Sequence, residues 1–200
     1  MINIANEIKN SFGTEAEGFY FSDITICPER IHAVMINEVV PKDNNQDFYG
    51  SEGAPEYEAS ALALFQSAGV PVESIHDLLG KGIYITNAVK RPKEKSSVEK
   101  ELIQESLPFL ERELSFFPKL KVIMLMGDVA KKALNQIARQ NIKKAVIPSG
   151  STYKLRDNEF YYGDIRVIPS YIMTGGNLLI EKGKLQMISE DIAKMMEMIE

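Results

Sequence analysis

The sequence predicts an α/β protein, a three-layer α/β/α sandwich built on a mainly parallel central sheet. Two observations carry this reading. The apolar runs AVMINEVV (33–40), IYITNAV (83–89) and KVIMLMG (121–127) are short and continuous rather than alternating, as in strands covered on both faces. Helical stretches separate them, and strands alternating with helices close into a layered sheet through right-handed crossovers.

Taken in order, the first crossover holds PEYEASALALFQSAG (55–69), with Ala59, Leu62, Ala63 and Phe65 apolar and Gly69 as the stop. A shorter helix, VESIHDLLGKG (72–82), also ends in glycine. A third spans about Val98 to Phe117, opened by a capping box at Ser96, Ser97, Val98 and Glu99, kinked at Pro108 and closed by Pro118. A fourth follows Gly127, with Asp128 suiting the dipole of its first turn. Beyond residue 140 the pattern turns to β-like pieces, AVIP, STYKL, EFYYG and IRVIPSY, with Gly163-Asp164 turning a hairpin. A last helix, Ser189 to Ile199, packs Ile192, Met195, Met196 and Ile199 on one face. The 200 residues are read as one domain.

Composition excludes several classes. No apolar stretch approaches the roughly 20 residues of a membrane-spanning helix, and MINIANEIKN lacks the basic-then-apolar order of a signal peptide. A cytoplasmic protein with no membrane partner is expected. The single cysteine, Cys27, and the two histidines, His32 and His76, give no metal-ligand spacing, so neither metal nor cofactor is expected. A net charge of −5 argues against wholesale coating of nucleic acid, but cations gather at Lys90, Arg91, Lys93 and Lys95, and again at Lys131, Lys132, Arg139, Lys143 and Lys144.

Ligands of such sheets bind beyond the carboxyl ends of the strands. The residues there are Asn37 and Glu38; Thr86, Asn87, Lys90 and Arg91; Gly127 and Asp128; and Ser170, Tyr171 and Thr174. Glu38, an ionisable group at the end of an otherwise apolar run, stands out among them.

The order of these segments resembles the uracil-DNA glycosylase superfamily, especially its thermophile-type branch. That branch's Gly-Glu-Ala-Pro-Gly is matched by Asn37-Glu38-Val39-Val40-Pro41, and its Phe-Val-Gly-Pro-Ala-Gly by Phe48-Tyr49-Gly50-Ser51-Glu52-Gly53. Thr-Asn-Val-Val-Lys-Cys-Arg-Pro is matched by Thr86-Asn87-Ala88-Val89-Lys90-Arg91-Pro92, and Pro-Tyr-Leu-Glu by Pro108-Phe109-Leu110-Glu111. The family's Leu-Gly and following helix correspond to Leu125-Met126-Gly127 and Ala130 to Leu134, and its Leu-Arg-Gly to Leu155-Arg156-Asp157. Its Pro-Thr-Tyr-His-Pro-Ser segment becomes Pro169-Ser170-Tyr171-Ile172-Met173-Thr174. The resemblance runs from about residue 31 to 195.

It implies a base-excision protein acting on DNA, in which Glu38 orients or activates the water that attacks the sugar of a flipped base. Phe48 would stack on that base, Asn87 would read its edge, and Asn37, Tyr171 and Thr174 would complete the pocket. Lys90, Arg91, Lys93 and Lys95 would meet phosphate, and Gly175-Gly176 would let backbone approach the DNA. Three departures stand out. Ile172 replaces the histidine that stabilises the leaving base, with Thr174 as a substitute donor. The cluster cysteines are missing, so no iron–sulfur cluster is expected, and the proline and final glycine after the Glu38 match are replaced. A different register, Asn45-Gln46-Asp47-Phe48-Tyr49-Gly50 against Gly-Gln-Asp-Pro-Tyr-His, would make Asp47 the water-activating acid. The alternative function is a catalytically silent relative that binds a nucleobase, nucleotide or nucleic acid in the same pocket.

Overall fold

The computed structural model describes residues 1–50, 56–175 and 181–200. Strand β1 (Ile2–Asn3) leads into helix α1 (Ile4–Phe12) and pairs antiparallel with β2 (Thr25–Ile26). Then come β3 (Ala33–Val39), α2 (Glu56–Ser67), α3 (Ile75–Gly80), β4 (Ile83–Val89), α4 (Lys100–Leu114) and β5 (Val122–Met126). The chain continues through α5 (Asp128–Ile142), the one-turn α6 (Thr152–Leu155), the hairpin strands β6 (Phe160–Tyr162) and β7 (Ile165–Ser170), and α7 (Lys182–Ile199).

The five-stranded sheet has the order β4-β3-β5-β7-β6. Its first four strands run parallel, and only β6 is antiparallel, to β7. The side-chain period of two divides the runs between two cores. Val34 and Ile36 of β3 join Leu107 and Leu110 of α4 and Ala133 and Leu134 of α5. Ala33 and Met35 face the other way, joining Leu64 and Phe65 of α2, Leu78 of α3 and Ile192 and Met195 of α7. Both faces are thus covered, which is why the strands read as continuous apolar runs. The architecture is the expected three-layer sandwich. No helix among the described residues is long and apolar enough to cross a membrane.

Several element boundaries differ from expectation. The segment STYKL, expected as β-like, forms α6: Thr152 and Leu155, three apart, are both buried while Tyr153 is exposed, a spacing that one helical turn supplies and a strand does not. AVIP forms no strand. Asn135 takes its place as partner: its side chain accepts from the N–H groups of Val146 and Ile147, both at 2.9 Å, and donates to the Ile147 carbonyl at 2.8 Å. Helix α4 starts at Lys100 with no side-chain cap, and a true capping box forms instead at Ser74 and Asp77, ahead of α3. Helix α4 also runs on through Pro108, and α7 begins seven residues before Ser189, at Lys182.

Candidate active site

Strand β3 lies inside the sheet, and its carboxyl end presents Asn37 and Glu38 as neighbours. Successive side chains on a strand point to opposite faces, so the two serve different surroundings. Asn37 faces the side of α2 and α7. It pairs in register with Asn87 of β4, which sets the two amides side by side. Asn37 Nδ2 donates to Asn87 Oδ1 at 3.1 Å and makes a long 3.5 Å contact to Thr174 Oγ1. Asn87 Nδ2 donates in turn to both oxygens of Asp47, at 3.0 and 3.1 Å, and the Phe48 N–H donates to Asp47 Oδ1 at 2.9 Å. Burial raises the Asp47 pKa above the ordinary carboxylate value against the opposing pull of these donors. The Phe48 ring is buried and tilted against Tyr57 with centroids 5.4 Å apart. Asn37 Oδ1 is buried without a hydrogen-bond partner among the described residues.

Glu38 faces the α5 side and is half-buried. Its Oε1 accepts from the Val129 N–H at 3.1 Å, one of the unsatisfied donors at the start of α5. Gly127, the residue before that helix, has φ 106°, which favours glycine, and a Cβ there would stand 2.3 Å from Glu38 Oε1, so the carboxylate keeps its place only beside a glycine. Burial raises the Glu38 pKa above its ordinary value. The Val129 N–H opposes that shift, the Asp128 carboxylate adds to it, and the Lys93 charge offsets it. The carboxylate opens on a groove of about 350 Å³ shared with Gly127, Thr152, Tyr153, Tyr171 and Ile172.

The expected residues therefore fall into two adjoining groups. Asn37, Phe48, Asn87 and Thr174 are knotted together with Asp47 on one face of the sheet. Glu38 and Tyr171 line the groove on the other, and Tyr171 also packs against the apolar cluster that holds Phe48. Thr174, expected as a substitute donor beside Ile172, is turned into the Asn37 side instead.

The basic rim is rearranged as well. Lys90, expected to meet phosphate, is only 2% exposed: its ammonium is ion-paired with Glu113 and donates to Thr86 Oγ1 at 2.6 Å inside the core. Glu113 also accepts from Tyr84 and Thr86, so the cation is held by a closed network. Arg91 stays near the surface, 4.2 Å over the Phe19 ring and 3.5 Å from Glu105. Lys93 donates to the Ser96 carbonyl at 3.0 Å, and exposed Lys95 pairs with Glu99. Gly175 is exposed at φ 113°, with open space where a Cβ would lie. Gly176 lies outside the described residues. The sequence missed Thr152 and Tyr153 as groove residues, because their place depends on the helical turn of α6.

Polar groups from four parallel strands meeting at their carboxyl ends define the class of open α/β proteins that handle ligands at that edge. Within the class the family is shown directly. The model of the uracil DNA glycosylase superfamily matches residues 14–175, and the chain belongs to that superfamily. No curated protein matches the chain. Membership supports a glycosylase-like function in general terms.

Proposed function

We propose that this chain is a base-excision protein that hydrolyses the N-glycosidic bond of a uracil or other damaged base flipped out of DNA. Glu38 assists the attack of water, and no cofactor takes part. The observation that carries this reading is the Glu38 carboxylate held on the Val129 N–H at the wall of a groove. Cleaving the bond develops positive charge on the sugar. A carboxylate beside C1′ stabilises that charge and accepts the proton as the water oxygen bonds to C1′. The base leaves with the electron pair of the broken bond. Ile172, in the same groove, offers no side-chain donor to the departing base. The side chains lining that groove that carry a donor are Ser151, Thr152, Tyr153, Tyr171 and Lys184. The loop carrying Lys93 and Lys95 faces DNA phosphate, and Lys93 lies close enough for its charge to favour the Glu38 anion.

A second reading, a silent relative that binds a nucleobase, nucleotide or nucleic acid, has one observation in its favour. The Asn87 amide that would read a base edge is already engaged, donating to Asp47 and accepting from Asn37. In the Asp47 register the acid is the one bonded to Asn87, and it borders a different cavity of about 440 Å³ with Tyr20, Phe21 and Tyr49.

Incubation with single- and double-stranded oligonucleotides carrying one uracil separates the readings. The catalytic reading expects abasic product from the wild-type chain and none from Glu38→Ala. Product lost with Asp47→Asn but kept with Glu38→Ala would move the role to Asp47. Absence of product at large enzyme excess, with thermal stabilisation by uracil or an oligonucleotide, would leave the binding reading.

A further inference from the structure

We infer that the groove along α5 carries the phosphate backbone of the DNA strand that delivers the target nucleotide to Glu38. This deepens, and rests on, the reading of the Glu38 groove as a nucleotide site. The groove has a volume of about 580 Å³ and lies between α5 and the loop 145–150. Its far wall is fixed, because the three hydrogen bonds of Asn135 pin Val146 and Ile147 to the helix.

Its charge is cationic on a chain whose net charge is −5. Three of its lining side chains are cations: Lys131, Lys132 and Arg139. Lys131 is buried, donating to Thr152 at 3.1 Å and pairing with Asp128 at 2.6 Å, so these two charges offset each other. Lys132 and Arg139 are exposed and make no ion pair among the described residues. They stand seven residues apart on one helix face, roughly 10 Å along the axis at 1.5 Å per residue. Strand phosphates advance by about 3.4 Å each, so that separation spans several nucleotides of a polymer and is too long for one small anion. Lys143 and Lys144, both exposed, extend the positive charge beyond the helix end.

The groove is also continuous with the Glu38 site. Asp128 and Gly150 line both. A strand lying on Lys132 and Arg139 therefore runs directly into the groove that the Glu38 carboxylate lines.

The test measures fluorescence anisotropy of a labelled single-stranded oligonucleotide with one central uracil, titrated with the full chain at a series of salt concentrations. Wild type is compared with Lys132→Gln/Arg139→Gln and with a control, Lys119→Gln/Lys121→Gln, which removes two cations at the amino ends of the strands. Thermal unfolding checks that each variant is folded. The groove variant is expected to bind less tightly, with the slope of log affinity against log salt flattened by about 0.7 for each lost contact, while the control matches wild type. Equal affinity and slope in wild type and groove variant, or an equal loss in the control, would overturn the inference. If the wild-type chain excises uracil and the groove variant still binds as wild type does, only this path is wrong. If the wild-type chain binds no oligonucleotide, the path and the DNA-acting function fall together.

Discussion

Glu38 and Gly127 are in such close contact that a methyl group on Gly127 would lie 2.3 Å from the Glu38 oxygen and 2.9 Å from its carboxyl carbon. The backbone at Gly127, with φ 106° and ψ 177°, is also one that side-chain-bearing residues rarely adopt. Gly127→Ala should therefore lower stability by about 1–3 kcal/mol and displace the carboxylate from the Val129 N–H, and on the proposed mechanism it should impair excision as Glu38→Ala does. A thermodynamic cycle by urea unfolding checks the cause. Glu38→Ala/Gly127→Ala should recover part of the loss, because the clash is gone while the backbone strain remains. Strict additivity would show that the two side chains do not meet.

The raised Glu38 pKa gives activity and stability opposite pH dependences. The fold favours the protonated carboxyl relative to the unfolded chain, so this stabilising contribution is complete below the unfolded-state pKa. It is lost as pH rises through the higher folded-state pKa. Glu38→Gln, which keeps an acceptor for Val129, should thus gain stability relative to wild type as pH climbs from the ordinary carboxylate range towards neutrality. The proposed mechanism needs the anion, so single-turnover excision is expected to rise with pH over the upper part of that interval. A stability difference independent of pH would refute the burial argument.

The sheet was legible because burial on both faces leaves its mark on each strand separately. AVMINEVV, IYITNAV and KVIMLMG are apolar at nearly every position, and β3, β4 and β5 fall within them. The site was harder to read because its geometry depends on partners far along the chain. Asn37 and Glu38 were grouped as one pocket although the period of two already sends them to opposite faces. Nothing local marks Lys90 as a core cation rather than part of the rim with Arg91. Its partner, Glu113, lies 23 positions away on α4. Likewise, STYKL has strand-like composition, and the turn it forms buries Thr152 on Lys131, 21 positions earlier.

The Lys90–Glu113 pair offers a test of that buried network. Glu113→Gln removes the counter-charge from an ammonium that is 2% exposed, and Tyr84 and Thr86 lose their charged acceptor with it. Breaking one partner of a buried pair costs about 3–5 kcal/mol, whereas replacing both by apolar groups of similar size is often near neutral. Urea unfolding should therefore show Glu113→Gln strongly destabilised and Lys90→Met/Glu113→Leu less so, its remaining loss coming from the Tyr84 and Thr86 hydroxyls that no longer have Glu113 as acceptor. A mild effect of the single substitution would mean that water reaches the ammonium.

The chain of contacts from Asp47 through Asn87 to Asn37 sets the last expectation. Asn87→Ala deprives the Asp47 carboxylate of the Asn87 Nδ2 donor that reaches both of its oxygens, leaving it the Phe48 N–H, and strips Asn37 Nδ2 of its nearer acceptor. Each buried polar group left without its partner costs about 1–3 kcal/mol. The Asp47 part of that cost is specific to the anion. Burial already raises its folded-state pKa, and losing the Asn87 donors raises it further, so the anion becomes harder to keep in the fold. The destabilisation should be smallest at acidic pH, where Asp47 is protonated in both states, and should grow as pH rises through the elevated value. Asp47→Asn/Asn87→Ala should lose this pH dependence while retaining the pH-independent part. Thermal unfolding of wild type and both variants across the acidic to neutral range reads it out. A loss for Asn87→Ala that is equal at every pH would show that Asn87 supports the fold without holding the Asp47 charge.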